Sequence, residues 1–460
     1  MRNKRIVVIG AGSASFGLVN LSALLRTEGL KGSELCLIDI NEKGLEIITN
    51  LAHRINKEWQ SGFIIKSSTN RLDYLNNADF IILSVAIDRE KCWQSDVDIA
   101  LKYGIHHYGE NGGPGALFHT ARNIGLILPI LKDIEKYAPN ALVLNFTNPV
   151  PRIGAFASKY TKVKMVGICH QINFGYLMAA VIFGKEYGFD VPDNYLFRWD
   201  NDHETGYKMV NQAKERFDIK AYGINHFTWI QSMIDKHTKE DVLALFKKKF
   251  LENKTNFESY TKEIIEVFDE IVVSGDAHNL EYLPFTHNVN RKSWERYDIQ
   301  MYPLLAASNQ RNQMWELLEN LSLGNGSIDF LKDSVSERAE AIIDSIINHK
   351  PMVEIAVNIP NNGHISNLPD GTIIEVPALI DSSGIHGIAM GDLPKVVAEF
   401  CRREAFLVEL SLDAIMSGKR SKYLQALLVD SMVDDIQTAK GLLNDYLEAN
   451  KNYIKLIDLK

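Results

Sequence analysis

Short apolar runs alternate with amphipathic segments over the first part of the chain. The runs are rich in β-branched residues and end in turn residues, which is typical of buried strands. They lie at residues 4–9, 35–38, 79–85, 141–146 and 164–168. The segments between them, such as 45–59 and 123–137, carry apolar residues at helical spacing. This alternation predicts a parallel sheet with right-handed helical crossovers.

The pattern changes after about residue 195. Polar and apolar positions then indicate strands and helices in mixed order. Strands are predicted there at 221–229, 354–359 and 372–377, and helices at 242–268, 334–348 and 393–416; a further helix is predicted at 99–108, in the first part of the chain. We therefore predict an α/β protein with two parts. Residues 1–195 form a doubly wound parallel sheet, and residues 196–460 form a mixed α/β domain that contributes substrate, metal and oligomer contacts.

The first strand leads directly into a glycine turn. Gly10 permits a tight turn and Gly12 allows a pyrophosphate to approach the backbone at a helix N-terminus. The second apolar run ends at Asp39, which is placed to accept hydrogen bonds from an adenine ribose. This unit predicts a Rossmann-type domain that binds NAD. The expected cofactor-binding residues are Gly10, Ala11, Gly12, Ser13 and Asp39. A glycine turn in another α/β fold is the alternative.

Composition narrows the class of protein. The 460 residues are 46% apolar and 23% charged, as in ordinary globular proteins. A net charge of −8 argues against a nucleic-acid partner, and no apolar stretch reaches the length of a membrane span. The four cysteines are widely separated, which favours a reducing compartment over a disulfide framework. We expect a cytoplasmic protein without nucleic-acid or membrane partners.

Polar residues follow the later strands of the predicted sheet. Asn148 follows the fourth predicted strand, at 141–146, and Cys169 and His170 follow the fifth, at 164–168. Ligands of such sheets bind beyond the carboxyl ends of the strands, so these residues and the glycine turn are expected at one edge. His226 lies in a segment that can fold over that edge. One thiolate and one imidazole leave open positions on a divalent metal, as catalysis requires. A buried core cysteine is the alternative.

Acidic residues supply candidates for proton transfer. Asp276 lies in a short segment with His278 and Glu281, and a carboxylate there can act as a general base. Glu110 lies in the glycine-rich loop 109–115, which is long enough to reach a ligand. Alternatively, Asp276 is a solvated surface charge, and the loop 109–115 only connects two secondary-structure elements.

Two other function classes fit less well. A 2-hydroxyacid dehydrogenase shares the sheet and the acid after the second strand, but it needs an arginine soon after the fifth strand to bind a carboxylate. Residues 171–197 contain no arginine. A nucleotide-sensing module would need neither the cysteine–histidine pair nor the acidic segment.

Taken together, these motifs resemble glycoside hydrolase family 4, the NAD- and metal-dependent glycosidases. The resemblance covers nearly the whole chain. It is carried by Gly10-Ala11-Gly12-Ser13, Thr147-Asn148-Pro149, Cys169-His170, Gly223-Ile224-Asn225-His226, Gly275-Asp276, Val357-Asn358-Ile359-Pro360 and Glu375-Val376-Pro377-Ala378. The family is an exception to the usual glycosidase scheme with two carboxylates.

The resemblance implies a mechanism. NAD⁺ takes a hydride from C3 of the sugar, which acidifies the proton at C2. A metal, typically Mn²⁺, is held by the residues that match Cys169 and His226 and stabilises the charge on the sugar oxygens. A base removes the C2 proton, the aglycone leaves by elimination, water adds and NADH returns the hydride. The cofactor therefore works catalytically, without net oxidation.

The resemblance also implies roles for other residues. His170 after the cysteine and Asp276 in a Gly-Asp motif resemble the branch that acts on unphosphorylated α-hexosides and α-hexuronides. In that branch Asp276 is the expected base and His170 the acid or leaving-group contact, with Glu110 assisting from its loop.

Substrate contacts follow from the same resemblance. Asn148 matches a position that contacts sugar hydroxyls, while Arg89 and Arg291 either bind an anionic sugar group or are surface arginines. We expect a homodimer or homotetramer that hydrolyses a small glycoside. A dehydrogenase of a sugar or 2-hydroxy acid with net hydride transfer is the second hypothesis.

Overall fold

The computed structural model describes residues 4–14, 19–169, 171–199, 203–333 and 336–454. The strands are β1 (Arg5–Ile9), β2 (Glu34–Ile38), β3 (Ile64–Ser68), β4 (Phe80–Leu83), β5 (Leu142–Asn145), β6 (Lys164–Gly167), β7 (Phe217–Ile224), β8 (Phe227–Asp235), β9 (Met352–Pro360), β10 (Ile373–Asp381) and β11 (Gly384–Gly387). The helices are α1 (Leu21–Arg26), α2 (Glu42–Glu58), α3 (Leu72–Leu75), α4 (Arg89–Lys102), α5 (Gly113–Tyr137), α6 (Val150–Tyr160), α7 (Ile172–Phe183), α8 (His203–Arg216), α9 (Leu243–Glu252), α10 (Ser259–Phe268), α11 (Gly275–Tyr282), α12 (Ser293–Arg296), α13 (Leu304–Ser322), α14 (Ala339–Asn348), α15 (Lys395–Ser417), α16 (Arg420–Val429) and α17 (Ile436–Asn450).

The eleven strands in the described ranges form one sheet. Its order is β3-β2-β1-β4-β5-β6-β9-β10-β7-β8, with β11 paired to β10. All pairs from β3 to β6 are parallel. This strand order is that of a dinucleotide-binding doubly wound sheet, so the predicted fold class is confirmed.

The second half of the sheet continues the first without a break in hydrogen bonding. Gly167 of β6 pairs antiparallel with Asn358 of β9, and β9 pairs along its length with β10. A pairing between residues so far apart in sequence leaves no local signal. The division into domains 1–195 and 196–460 stays a prediction. The sheet contains strands from both of these parts.

Helices cover both faces of the parallel sheet. Along β1, Val7 and Ile9 face one hydrophobic core and Ile6 and Val8 face the other, because side chains alternate along a strand. The first core includes residues of α5, α6, α15, α16 and α17, and the second includes residues of α2, α13 and α14. The C-terminal helices therefore complete a layer of the N-terminal sheet. Among the described helices, none is both long and apolar enough to cross a membrane.

Four predicted helices begin or end at other residues in the structure. Helix α5 begins at Gly113 rather than 123, because Pro114 stands in its first turn, where a missing N–H costs nothing. The second half of the predicted loop 109–115 is thus helical. The segment 242–268 divides into α9 and α10, and 99–108 is helical only to Lys102. Of the helix predicted at 334–348, residues 334 and 335 lie outside the described ranges, and the described helix, α14, begins at Ala339.

Candidate active site

The carboxyl ends of four parallel strands lie side by side. Ile9 of β1 pairs with Leu83 of β4, Leu83 with Asn145 of β5, and Asn145 with Gly167 of β6. With neighbouring strands about 4.8 Å apart, the end of β6 lies about 14 Å from the end of β1. The glycine turn after β1 and Cys169 after β6 therefore share one edge of the sheet.

The glycine turn is pressed against the end of β4. A Cβ atom at Gly10 would lie 1.8 Å from the carbonyl oxygen of Ser84, and Gly10 has φ of +96°. The amides of Gly10 and Ala11 both donate to the carbonyl oxygen of Ile38, at 2.9 and 3.1 Å. Glycine is required at position 10 both for the backbone conformation and for this close approach.

Asp39 lies against the same turn. Its Oδ2 accepts from the amide of Gly12 at 2.8 Å, and its Oδ1 accepts from the amide of Asn41 at 2.8 Å. The predicted ribose acid is thus held beside the predicted pyrophosphate turn, in which Ser13 is partly exposed. The arrangement suits a dinucleotide, and the contacts of these residues with NAD stay a prediction.

Glu110, in the loop before α5, accepts two side-chain hydrogen bonds, one of them from Asn148, which follows β5. Its Oε1 accepts from Arg89 and from Asn148 Nδ2, each at 2.9 Å, and the side chain is buried. Burial opposes ionisation of Glu110, but the charge of Arg89, helped by His226 and His278, outweighs it and lowers the pKa to about 2. The predicted residues Arg89 and Asn148 therefore both contact the ionised carboxylate of Glu110, which was also predicted for the site.

Cys169 and His226 come together at this edge. His226 is the second residue of the two-residue turn between β7 and β8 and has φ of +62°. Its Nε2 lies 3.2 Å from Cys169 Sγ. Burial and the neighbouring His278 lower the pKa of His226 to about 4, so the imidazole is neutral, as a metal ligand must be. Burial raises the pKa of the Cys169 thiol.

The hairpin turn is held by groups distant in sequence. Glu375 Oε2 accepts from Asn225 Nδ2 at 2.6 Å and from Asn358 Nδ2 at 3.0 Å. The hydroxyl of Tyr282 donates to the carbonyl oxygen of Asn225 at 2.9 Å. Burial raises the pKa of Glu375 to about 7. Strands β9 and β10 and helix α11 thereby position the residue that precedes His226.

Helix α11 contributes a histidine and a carboxyl group. His278 Nδ1 lies 2.9 Å from Glu281 Oε1. Glu281 Oε2 accepts from the amides of Asn111 and Gly112, at 2.5 and 2.9 Å. Burial and the charge of Glu110 raise the pKa of Glu281 to about 8. Helix α11 and the loop before α5 are thus joined beside His226.

These groups form a compact set of donors, which we call the His226 cluster. Its members are Glu110, His226, His278 and Glu281. All four residues are buried, and their potential ligand atoms lie within 4.8 Å of one another. His226 therefore belongs to two candidate ligand sets, this cluster and the pair with Cys169.

The surroundings of His226 fit a bound metal ion. A separation of 3.2 Å between Sγ and Nε2 suits two ligands of one ion at about 2.3 and 2.1 Å. Asn111 Nδ2 lies 2.9 Å from His226 Nδ1, while the buried Asn111 Oδ1 has no hydrogen-bond partner among the described residues. With the amide turned over, Oδ1 accepts from Nδ1–H and the lone pair of Nε2 is free for a metal.

Two family models match this chain. A model described as "Family 4 glycosyl hydrolase" matches residues 5–180, and one described as "Family 4 glycosyl hydrolase C-terminal domain" matches residues 221–433. The chain belongs to family 4 of the glycosyl hydrolases. The resemblance drawn from its motifs is confirmed, and the chain is a glycosidase.

Family 4 relatives match over nearly their whole length. An alpha-glucosidase of Erwinia rhapontici is 29% identical, over 98% of this chain and 99% of the relative. An alpha-galactosidase of Bacillus subtilis (strain 168) is 25% identical, over 95% and 98%. The structure of the 6-phospho-beta glucosidase from Thermotoga maritima with manganese, NAD+ and glucose-6-phosphate superposes with a TM-score of 0.79 at 23% identity, covering 99% of this chain and 100% of that one.

Arg152 holds the loop of this family 4 site in place. Its Nε donates to the carbonyl oxygen of Asn111 at 3.1 Å, and its other nitrogens donate to Ser411 and Glu404, each at 2.8 Å. Asn111, Arg152 and Glu375 were not predicted as site residues. Their partners lie on other elements, so only the glycine-rich loop and the motif around Glu375 gave any signal.

Asp276 faces away from the His226 cluster, toward the start of α10. Its Oδ2 accepts from the amide of Tyr260 at 3.0 Å, and its Oδ1 accepts from the amide and hydroxyl of Thr261, both at 2.7 Å. Its own amide donates to Glu258 Oε2 at 2.5 Å. These contacts give the carboxylate a helix-capping role and occupy both of its oxygens. The base role predicted from the resemblance gains no support from these surroundings.

Replacing Asp276 with asparagine is therefore expected to lower stability. An amide offers one acceptor where the carboxylate offers two, so a buried N–H of α10 loses its partner at a cost of about 1–3 kcal/mol. The melting temperature should fall while folded enzyme still exchanges the substrate C2 proton with deuterated solvent. Asp435→Asn is the matched control, because Asp435 caps α17 through Thr438 at an exposed position. Loss of exchange at an unchanged melting temperature would restore Asp276 as the base.

Three further residues were predicted for the site: Arg291, Arg89 and His170. Arg291 is exposed on the short turn Val289–Arg291. The guanidinium of Arg89 pairs with Glu110 and lies over the ring of Trp93 at 5.0 Å, so its charge is already engaged. His170 lies outside the described residues.

Proposed function

We propose that this family 4 glycosidase depends on NAD and a divalent metal and cleaves an unphosphorylated α-hexoside or α-hexuronide. The observation that carries the proposal is the 3.2 Å approach of Cys169 Sγ to His226 Nε2. This pair lies at the same sheet edge as the glycine turn after β1. A thiol and a neutral imidazole in contact there suit a metal ion that leaves positions open for substrate oxygens.

The proposed cofactors are NAD and Mn²⁺, or another divalent metal. When bound, NAD supplies a reversible hydride acceptor and the metal supplies a Lewis acid for the sugar oxygens. The Thermotoga relative described above was solved with both. The buried unpaired oxygen of Asn111 beside His226 supports the metal, and the tight turn at Gly10 supports the dinucleotide.

The side chains of this protein would then bind and orient the sugar. We infer that Cys169 and His226 hold the metal and that Asn148 presents its amide to sugar hydroxyls. Glu110 is ionised at neutral pH, and both of its protein hydrogen bonds fall on Oε1. Its other oxygen is proposed to accept a hydroxyl or a proton of the substrate. His170, next to Cys169, is retained as the proposed acid.

The proposed substrate class rests on two kinds of support. The Erwinia and Bacillus relatives, which match nearly the whole chain, are named alpha-glucosidase and alpha-galactosidase, names that contain no phosphate. The His170 that follows Cys169 resembles the same branch. Arg89 and Arg291 are proposed contacts of a C6 carboxylate if the sugar is a uronide, although Arg89 would have to share its charge with Glu110.

We expect aglycone release with a catalytic trace of NAD⁺ and no accumulation of NADH, because the hydride taken from C3 is returned in each turnover. The measurement follows nitrophenol release and absorbance of NADH together, with Mn²⁺ and a thiol reductant present. Nitrophenyl α-hexosides and α-hexuronides are compared with nitrophenyl 6-phospho-α-hexosides. NADH formed in step with product would instead establish a net dehydrogenase. A preference for the phosphorylated series would contradict the substrate class.

We further propose that the enzyme works in the cytoplasm as a homodimer or homotetramer. The free thiols of Cys36, Cys92, Cys169 and Cys401 suit a reducing compartment. Helix α15 exposes Val396 and Phe406, each at 51%, which supports a contact between subunits on this helix.

A further inference from the structure

The glycine-rich loop 109–115 packs closely around the ring of His107, which is fully buried. A Cβ atom at Gly113 would lie 2.6 Å from His107 Cδ2, and one at Gly115 would lie 2.8 Å from Nε2. One at Gly109 would lie 3.1 Å from the same nitrogen. Positions 113 and 115 therefore exclude larger residues because the imidazole occupies the space that their side chains would need.

The same imidazole caps helix α5. The amide of Gly115, in the first turn of α5, donates to His107 Nε2 at 3.1 Å. The first amides of a helix have no partner within the helix, and the N-cap residue here, Gly112, makes no side-chain hydrogen bond to them. Burial lowers the pKa of His107 to about 3, so Nε2 stays unprotonated and accepts. His107 thus fixes the point at which the loop becomes a helix.

Packing alone does not account for a histidine at position 107. Because Nε2 accepts, the ring proton lies on Nδ1, and that buried atom has no hydrogen-bond partner among the described residues. A buried donor without a partner costs about 1–3 kcal/mol. An apolar side chain would avoid this cost, so the contribution that requires histidine is the acceptor at Nε2.

A second histidine holds the loop at Glu110 itself. His119, on α5, has its Nδ1 2.8 Å from the carbonyl oxygen of Glu110. Burial and the charge of Arg122 lower the pKa of His119 to about 4, so the ring is neutral. Since a carbonyl oxygen only accepts, Nδ1 carries the ring proton and donates it. The backbone of Glu110 is thereby tied to the helix that His107 caps.

We propose that His107 and His119 are positioning residues that hold the Glu110 carboxylate in its orientation toward Arg89 and Asn148. This inference rests on the proposed function, in which Glu110 accepts a hydroxyl or a proton of the substrate. Both histidines act through the backbone, one at the amide of Gly115 and the other at the carbonyl of Glu110. A catalytic group must be held to within about 0.5 Å, and a side chain follows any shift of its own backbone.

Substitutions of His119 test the bond to the Glu110 carbonyl. His119→Leu removes the donor and should lower kcat/KM roughly tenfold to a hundredfold, the effect of a small displacement of a catalytic group. His119→Asn should restore most of the activity, because the amide nitrogen of asparagine can take the place of Nδ1. His287→Leu is the matched control. Nδ1 of His287 is also 2.8 Å from a carbonyl oxygen, that of Pro284, outside the loop.

A double-mutant cycle separates positioning from a purely structural role. In the Glu110→Gln background no ionised carboxylate remains to be positioned, so His119→Leu should lower kcat/KM little further. Should His119→Leu lower kcat/KM by the same factor in both backgrounds, His119 acts independently of Glu110 and the inference is overturned. The same conclusion follows if His119→Asn is as impaired as His119→Leu while both variants unfold at the wild-type temperature.

Substitutions of His107 test the cap in the same way. The side-chain oxygen of glutamine can replace Nε2 as acceptor, whereas leucine leaves the amide of Gly115 unpaired. We expect His107→Gln to retain more activity than His107→Leu, and this difference should disappear in the Glu110→Gln background. Equal losses with both His107 variants would overturn the role of the cap.

These outcomes are distinguishable from failure of the proposed function. If the wild type cleaves no glycoside with NAD⁺ and Mn²⁺, the proposed function fails, and the positioning role falls with it. If the wild type does cleave and the cycles show no coupling to Glu110, only the positioning role is rejected. Thermal unfolding identifies any variant that fails to fold. Because His119 is only half-buried, its variants keep the inference testable if those of the fully buried His107 do not fold.

Discussion

Cys169→Ser is expected to lower kcat/KM by about three orders of magnitude and to remove its dependence on added Mn²⁺. A Lewis-acid ion contributes several kcal/mol to the transition state, and about 1.4 kcal/mol corresponds to a factor of ten. Serine does not ionise at neutral pH and is a poor ligand in place of a thiolate. The measurements are kcat/KM as a function of manganese concentration and the metal content of the purified protein.

Cys92→Ser is the matched control, because Cys92 lies on α4, outside both candidate ligand sets. His226→Ala should reproduce the loss seen with Cys169→Ser, since His226 belongs to both sets. His278→Ala distinguishes them. Should the His278 variant lose metal while the Cys169 variant retains it, the ion is held by the His226 cluster rather than by the cysteine–histidine pair.

Glu110→Gln is expected to lower kcat/KM by about 10² to 10⁴, as for loss of a group that takes part in proton transfer. Glutamine is nearly isosteric and can still accept from Arg89 and Asn148, so the loss reports the negative charge. Because the pKa of Glu110 is about 2, the carboxylate stays ionised near neutral pH. The same factor should therefore be found across the range of about pH 5 to 8, measured as a pH profile of kcat/KM.

Glu354→Gln provides the control for loss of a buried, paired carboxylate. Glu354 is 1% exposed and its Oε2 accepts from Arg338 at 2.8 Å, outside the His226 cluster. Its substitution should affect melting temperature but leave kcat/KM unchanged at temperatures below the transition. A Glu110 variant that lost only stability, as expected for Glu354, would show that the ionised carboxylate contributes nothing to the reaction.

Local pattern alone was sufficient for the parallel half of the fold. Within runs such as 4–9 and 79–85, the consecutive residues 6–9 and 80–83 are all apolar because these strands are buried on both faces, so the signal is contained in neighbouring residues. Gly10 was identifiable for a related reason. A turn that needs positive φ and close backbone approach admits little else, so residue type reports conformation directly.

The amino-acid sequence by itself determined the doubly wound sheet, the turn after β1 and the approach of a cysteine and a histidine to one edge. Only the tertiary structure decided which acid faces that edge. The sequence favoured Asp276 as the base and Glu110 as an assisting group, yet Asp276 caps α10 and Glu110 lies ionised beside Arg89. The same holds for Arg152 and Glu375, whose partners come from remote segments. The role of a side chain depends on the hydrogen-bond donors and charges that tertiary packing places around it. Those neighbours come from distant segments, so the local pattern of polar and apolar residues does not reveal them.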